Sequence, residues 1–422
     1  MKLHKSVYRI IFLLFIIAQI AFPSVELSVV LSGGLLFVLL GLEPLKISRS
    51  LSVILSYLIA IITLGVLSSM FYEYEFIDRI RDFIHFIKPF LLCFVGYLLV
   101  KCIGNMRYVL RLLIFLGIIL ALKHIITLAV VDLPSEFRID RIRAKAGSSS
   151  FIELVSLIVL LSFHGKNRIV GPETRRLFIL IMSISFILYF SRTMILGMIV
   201  FLLSIYGFTQ LTRKAFEYSV VVLFIFGTFY ASLFAMDLKE GEEGLSRFLL
   251  KIRDAPTEVF AAPKGYDPTN RSEIYKHWRG YEAQLAFTQM EGNPFHYING
   301  KGFGSLVDLG FNAPLGSSEK GLRHIPHLHN GYMYVFFKVG IIGLVLYLVF
   351  LFNLYKQVYF KTNSHNEKAI RRIISGFGVY FFASSLVITG IYNLGEISVF
   401  CLGIFIALAE LERAIQKKVL HE

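Results

Sequence analysis

Charge is scarce in this chain. Only 17% of its 422 residues are Asp, Glu, Lys or Arg, where a soluble domain carries roughly a quarter. Tryptophan occurs once, at Trp278, and proline eleven times. The three cysteines, Cys93, Cys102 and Cys401, all lie outside residues 237–330, so no disulfide staples that stretch, and their spacing is not that of a metal site. They read as small apolar residues in or near helices. The Gly300-Lys301-Gly302 segment has no Ser or Thr after its lysine and is not a phosphate-binding loop. No Gly-x-Ser-x-Gly elbow occurs. Apolar runs do not alternate with a period of two, which excludes an outer-membrane barrel. No internal repeat is visible, which speaks against transporters built from duplicated halves. The formal net charge is +14, yet no basic face with interleaved aromatics stands apart from the apolar runs. Nucleic acid is therefore not an expected partner.

What fills the chain is hydrocarbon. Apolar residues make up 56% and the mean hydropathy is +0.67. The excess sits in runs near the ~20 residues needed to cross a bilayer, and there only helices satisfy the backbone. The expected fold is an all-α polytopic membrane protein with about twelve transmembrane helices. They fall near 7–22, 25–42, 51–71, 86–101, 109–131, 151–163, 177–190, 193–210, 217–236, 331–354, 373–391 and 397–411. The basic N-terminus and first apolar run read as an uncleaved span, without a small-x-small cleavage site. Lys and Arg in the short loops gather on one side if the count is twelve. By the positive-inside rule that side, with both termini, is cytoplasmic. The chain then divides into residues 1–236 with nine helices, a large periplasmic loop at 237–330 that contains helices, and residues 331–422 with three helices and a cytoplasmic tail. The location this implies is a bacterial inner membrane.

Ninety-odd residues exceed any ordinary connection, so the long loop is a small domain or a functional segment. Residues 271–290 read as an amphipathic helix: Ile274, Trp278, Tyr281 and Leu285 recur at three- and four-residue steps. Asn270 is its expected N-cap, and the glycines at 300, 302 and 304 are expected to form a flexible turn. Arginines on the outer side run against the topology rule and so carry information. Arg138, Arg141 and Arg143 precede the sixth span, Arg192 lies between the seventh and eighth, and Arg271, Arg279 and Arg323 lie in the long loop. Guanidinium forks match phosphate oxygens. The competing readings are plain: Arg192 snorkelling to the interface, the first three facing lipid headgroups, and Arg271 and Arg279 paired with Glu273 and Glu282 on the helix surface. His324, His327 and His329 crowd the approach to the tenth span. For His329 three roles are open: general base near neutral pH, metal ligand, and structural loop residue. The pattern supplies no neighbouring acidic or thiol ligand to complete a metal shell, and the base is preferred. His327 is expected to orient the motif, with His324 incidental.

The segment His327-Leu328-His329-Asn330-Gly331-Tyr332, running into Gly340-Ile341-Ile342-Gly343-Leu344, resembles a motif of the O-antigen ligase and O-antigen polymerase superfamily of bacterial membrane glycosyltransferases. Ser191-Arg192-Thr193 and the Asn270-Arg271 helix, followed by Pro294 and glycines 300, 302 and 304, extend the likeness over about residues 140–355. Lys338 departs from the family, which often has an acidic residue there. The resemblance implies a donor glycan linked to undecaprenyl pyrophosphate, with no nucleotide sugar, cofactor or metal. It implies His329 as the base that activates the acceptor hydroxyl and Arg192 and Arg271 as pyrophosphate ligands. Arg143, Arg279, Arg323 and His327 are expected in support. The expected partners are this lipid-linked oligosaccharide, a glycan or lipid A–core acceptor, membrane lipids and a chain-length regulator. A polymerase of O-antigen or exopolysaccharide repeat units is preferred to a ligase, and a glycolipid flippase is the rival of another class.

Overall fold

The computed structural model describes residues 4–42, 47–130, 147, 150–236, 245–256, 274–275, 277–315, 321–395 and 397–419. Long apolar runs with sparse glycine and proline become helices, and polar residues set their ends. Among the described residues the first nine are α1 (Lys5–Ala21), α2 (Val25–Leu42), α3 (Arg49–Ser69), α4 (Phe76–Ile103), α5 (Met106–Val130), α6 (Phe151–Ser162), α7 (Pro172–Leu188), α8 (Arg192–Ile205) and α9 (Arg213–Ala235). Ser48 and Ser150 cap α3 and α6 by accepting the backbone N–H groups of Leu51 and Glu153. Next come α10 (Leu245–Arg253), α11 (Trp278–Thr288) and α12 (Pro294–Asn299), then a hairpin of β1 (Val307–Ala313) and β2 (Leu322–Ile325). The chain closes with α13 (Gly331–Tyr355), α14 (His365–Ser384) and α15 (Ser398–Val419).

Each of the twelve expected apolar segments falls on a helix. By length and composition α2, α3, α4, α5 and α13 are able to cross a membrane, while α6, α8 and residues 224–235 are shorter apolar helices. The largest departure is α4, which starts at Phe76 rather than near 86. Its first turns carry Asp78, Arg79, Arg81 and Asp82, which hide the helix from a hydropathy window. The short hairpin is a second departure from an all-helical reading. Its strands are antiparallel, with Val307 opposite Ile325 and Asp308 opposite His324.

The core is centred on α4 and α15. Phe400, Cys401, Leu402, Ile404 and Phe405 are fully enclosed. Glycines let the two backbones touch: a methyl at Gly403 would lie 2.0 Å from the Cys93 carbonyl oxygen, and one at Gly96 2.3 Å from that of Phe400. All three cysteines are free.

The glycines at 300–304 form a packed wedge, not a flexible turn. Helix α13 is broken at Gly340, whose φ of 70° and ψ of −168° no ordinary residue adopts cheaply. The break frees carbonyls that the wedge then satisfies. Lys301 N–H donates to the Phe337 oxygen at 2.8 Å and Gly302 N–H to that of Lys338 at 3.0 Å. A methyl at Gly300 would stand 2.4 Å from the Val339 nitrogen. Phe303 fills the space left by Gly65 on α3 and packs on Phe86 at 4.8 Å.

Lys338, the residue that departs from the family pattern, is 1% exposed and pairs with Asp82 at 2.5 Å. Its ammonium also donates to the Ser305 carbonyl, and Gly304 N–H donates to Asp82 at 2.7 Å. This buried pair joins α4, α13 and the wedge.

Candidate active site

Helix α11 brings Arg279 and Glu282 onto one face, a single turn apart. Glu282 is not a surface residue: its side chain is 2% exposed. One carboxylate oxygen accepts the His329 ring at Nδ1, 2.9 Å away, and the His329 backbone N–H at 3.1 Å. A carboxylate only accepts, so Nδ1 carries the proton of the neutral ring. Nε2 is then the basic nitrogen. The imidazole is 48% exposed, so that nitrogen is reachable from outside. Two bonds from one buried oxygen fix both ring and backbone.

The other wall is the loop after α14. Thr389 has a φ of 37°, a strained conformation for a β-branched residue. Its N–H donates to the His329 carbonyl at 2.7 Å and its hydroxyl to the Leu328 carbonyl at 3.1 Å. His327 Nε2 meets the same hydroxyl at 2.9 Å. With the hydroxyl proton committed to Leu328, His327 is the donor. Gly331 N–H donates to the Ser385 carbonyl at 2.7 Å, and a methyl on Gly331 would lie 2.8 Å from the Thr389 carbonyl carbon. Only glycine fits there. Asn330 caps α13 by accepting Met333 N–H at 3.0 Å, and the Tyr332 hydroxyl reaches the Phe382 carbonyl at 2.7 Å. Burial, aided by His85, His329 and two lysines, holds the His327 pKa well below its usual value and keeps the ring neutral.

Arg279 does not pair with Glu282. Its Nε donates to the Val387 carbonyl at 2.9 Å, on the same loop. Arg192 opens α8, and its Nη1 donates to the Lys251 carbonyl at 2.6 Å, in α10. Helices α8 and α14 run antiparallel. Ser204 bonds the Arg372 carbonyl, and a methyl at Gly197 would lie 3.2 Å from the Tyr380 ring. Carried on to the first residue of α8, that register sets Arg192 level with the end of α14, where the Thr389 loop begins. His327, His329, Glu282 and Arg279 therefore converge on one loop, with Arg192 at the same end of the bundle. Arg323 is elsewhere. It forms a two-pronged pair with Asp308 on the hairpin, at 2.8 and 3.0 Å. That hydrogen bond draws the Asp308 pKa down to about 2. Arg143, Arg271 and Asn270, with Arg138 and Arg141, lie outside the described residues.

Glu282 and Thr389 are the two residues that sequence reasoning missed. Glu282 follows Tyr281 and stands four residues after Trp278, so the helical period already put it at the edge of the apolar face. Thr389 has no signal in the sequence, because its role rests on a backbone strain.

A helical membrane protein with a carboxylate-oriented histidine at one end of its bundle, level with an arginine, is the class that fold and site define. Residues 177–348 match the family model described as O-antigen ligase, which supports the resemblance to the O-antigen ligase and polymerase superfamily. The matched stretch holds Arg192, Arg279, Glu282, His327 and His329 and stops short of Thr389. Among curated proteins none matches the chain.

Proposed function

We propose that the protein is a membrane glycosyltransferase that takes an oligosaccharide from undecaprenyl pyrophosphate and joins O-antigen or exopolysaccharide repeat units. The observation that carries this reading is the Glu282–His329 pair: a buried carboxylate holding the proton on Nδ1 and leaving an exposed Nε2. In the proposed step Nε2 removes the proton from an acceptor hydroxyl. The resulting oxygen attacks the anomeric carbon of the donor sugar. The bond from that carbon to the pyrophosphate oxygen breaks on the opposite side, so the centre inverts, and lipid pyrophosphate leaves with the electron pair. Arg192 and Arg271 are assigned to the charge that grows on the leaving group, the role a metal has in other enzymes. Glu282 and Thr389 position the base; His327, held neutral, adds no competing charge beside it. Arg279 supports the loop that holds the base, Arg143 is assigned a supporting role from the resemblance alone, and Arg323 serves the hairpin. The end of the bundle bearing the site faces the periplasm of a bacterial inner membrane, with both termini cytoplasmic, and a chain-length regulator acts as an external partner.

The second reading is transfer of the glycan to lipid A–core, favoured by the description of the matched family model. Both reactions share the donor half. Purified protein given a lipid-pyrophosphate oligosaccharide, with and without lipid A–core, separates them. Longer lipid-linked chains are expected. Product on lipid A–core alone would make the protein a ligase, and no new glycosidic bond in either case would overturn the enzyme reading.

A further inference from the structure

A cavity of about 380 Å³ opens at the Arg192 end of the bundle, apart from His329. It lies among the ends of α1, α5, α6, α7 and the residues before α15, and its lining includes Gln19, Lys123, His124, Ser150 and Tyr189. Its wall is polar in a way an apolar bundle does not need. His124 is 3% exposed; its Nδ1 meets the Ser185 hydroxyl at 2.9 Å, while Nε2 is buried without a partner. The Gln19 side-chain oxygen accepts the Ser28 hydroxyl at 2.6 Å, and its nitrogen is likewise buried and unmatched. Behind Tyr189, which stacks on His124 at 3.9 Å, the fully buried Glu153 accepts the tyrosine hydroxyl at 3.3 Å and leaves its second oxygen unmatched. The unmet nitrogens of two lining residues, His124 and Gln19, are costly. Ionisable side chains at membrane depth ordinarily mark a functional path.

The set selects its ligand. A hydrocarbon tail would leave both nitrogens unmet. A free anion would suit Lys123 but not the Glu153 carboxyl. Hydroxyl groups donate and accept together and match an imidazole nitrogen and an amide at once. We infer that this cavity is a saccharide subsite, which holds one hydroxyl-rich sugar residue of the glycan substrate through His124 and Gln19, with Glu153 and Tyr189 as positioning residues. Its size suits a small polar ligand. The inference rests on the glycosyltransferase reading for its ligand class and deepens it.

The test is direct binding, independent of turnover. The probe is the free oligosaccharide released by mild acid from the purified lipid-linked repeat unit, titrated onto the full-length protein in detergent. His124→Phe keeps the ring stack on Tyr189, and Gln19→Met changes a second wall without touching that ring. Each is expected to weaken binding about tenfold or more, as loss of a buried hydrogen bond with its desolvation implies. KM for the lipid-linked donor should rise with kcat nearly unchanged, and the melting temperature should hold. His329→Ala should lose turnover and keep binding. Wild-type affinity in both wall variants, or no binding by the wild type, would overturn the subsite. Loss of binding in the wall variants with no glycosidic bond formed by the wild type would leave the subsite standing and remove the reaction proposed for it.

Discussion

At the scale of single residues, the proposed site is a histidine whose two nitrogens stand in different surroundings. Glu282 supplies no proton; it fixes the tautomer and the ring plane. Replacing it with Gln keeps the shape but lets the amide offer a donor to Nδ1 and so favours the wrong tautomer. In purified Glu282→Gln protein kcat should fall about 10²-fold with KM little changed, in line with the loss of an orienting carboxylate behind a base. An unchanged kcat would remove Glu282 from the mechanism. His327 gives a pH signature of the opposite kind. The unfolded chain binds its proton near pH 6.5, whereas the folded chain binds it only at much lower pH. The unfolded state thus holds more protons below that value, and stability should fall with acid by up to about 1.4 kcal/mol per pH unit. Melting curves across pH 7.5 to about 5 should show a smaller slope for His327→Gln, which retains a donor for Thr389 but does not titrate. Equal slopes would mean that His327 is charged in the fold.

At the scale of elements, the buried Lys338–Asp82 pair and the broken α13 hold the wedge that leads to the site. Removing one charge strands the other. Lys338→Met should destabilise by about 3–5 kcal/mol, and adding Asp82→Leu should recover most of that loss. Thermal unfolding in detergent reads both, and additive losses would mean that the two charges do not act as a pair. The same elements mark how much was legible in the sequence. The apolar segments were visible because the bilayer demands length and hydropathy, and every one became a helix. The first turns of α4 were not, because the charges that give them a partner in Lys338 and the wedge also lower their hydropathy. Glycines 300, 302 and 304 looked like freedom in one dimension. In three dimensions they are close contact with α3 and α13. His329 stood out from its motif and its place before an apolar run, and the structure sets it against Glu282. Its buried partner was misread as a helix-surface residue, because sequence gives the face of a helix but not what stands against it.

At the scale of the molecule, the features proposed to act on substrate share one end of the bundle. The His329 motif, the strained Thr389 loop, the start of α8 with Arg192 and the cavity beside His124 all open there. This is the arrangement expected where a lipid-linked anion meets a water-borne hydroxyl, since the carrier stays in the bilayer and the sugar stands at its surface. The most direct measurement is chain growth by purified wild-type and His329→Ala proteins on the same lipid-pyrophosphate oligosaccharide, read by the length of the lipid-linked product. The wild type is expected to extend the chain and His329→Ala to do so about 10²- to 10⁴-fold more slowly. Growth at the wild-type rate by His329→Ala, or no growth by the wild type, would contradict the role given to His329.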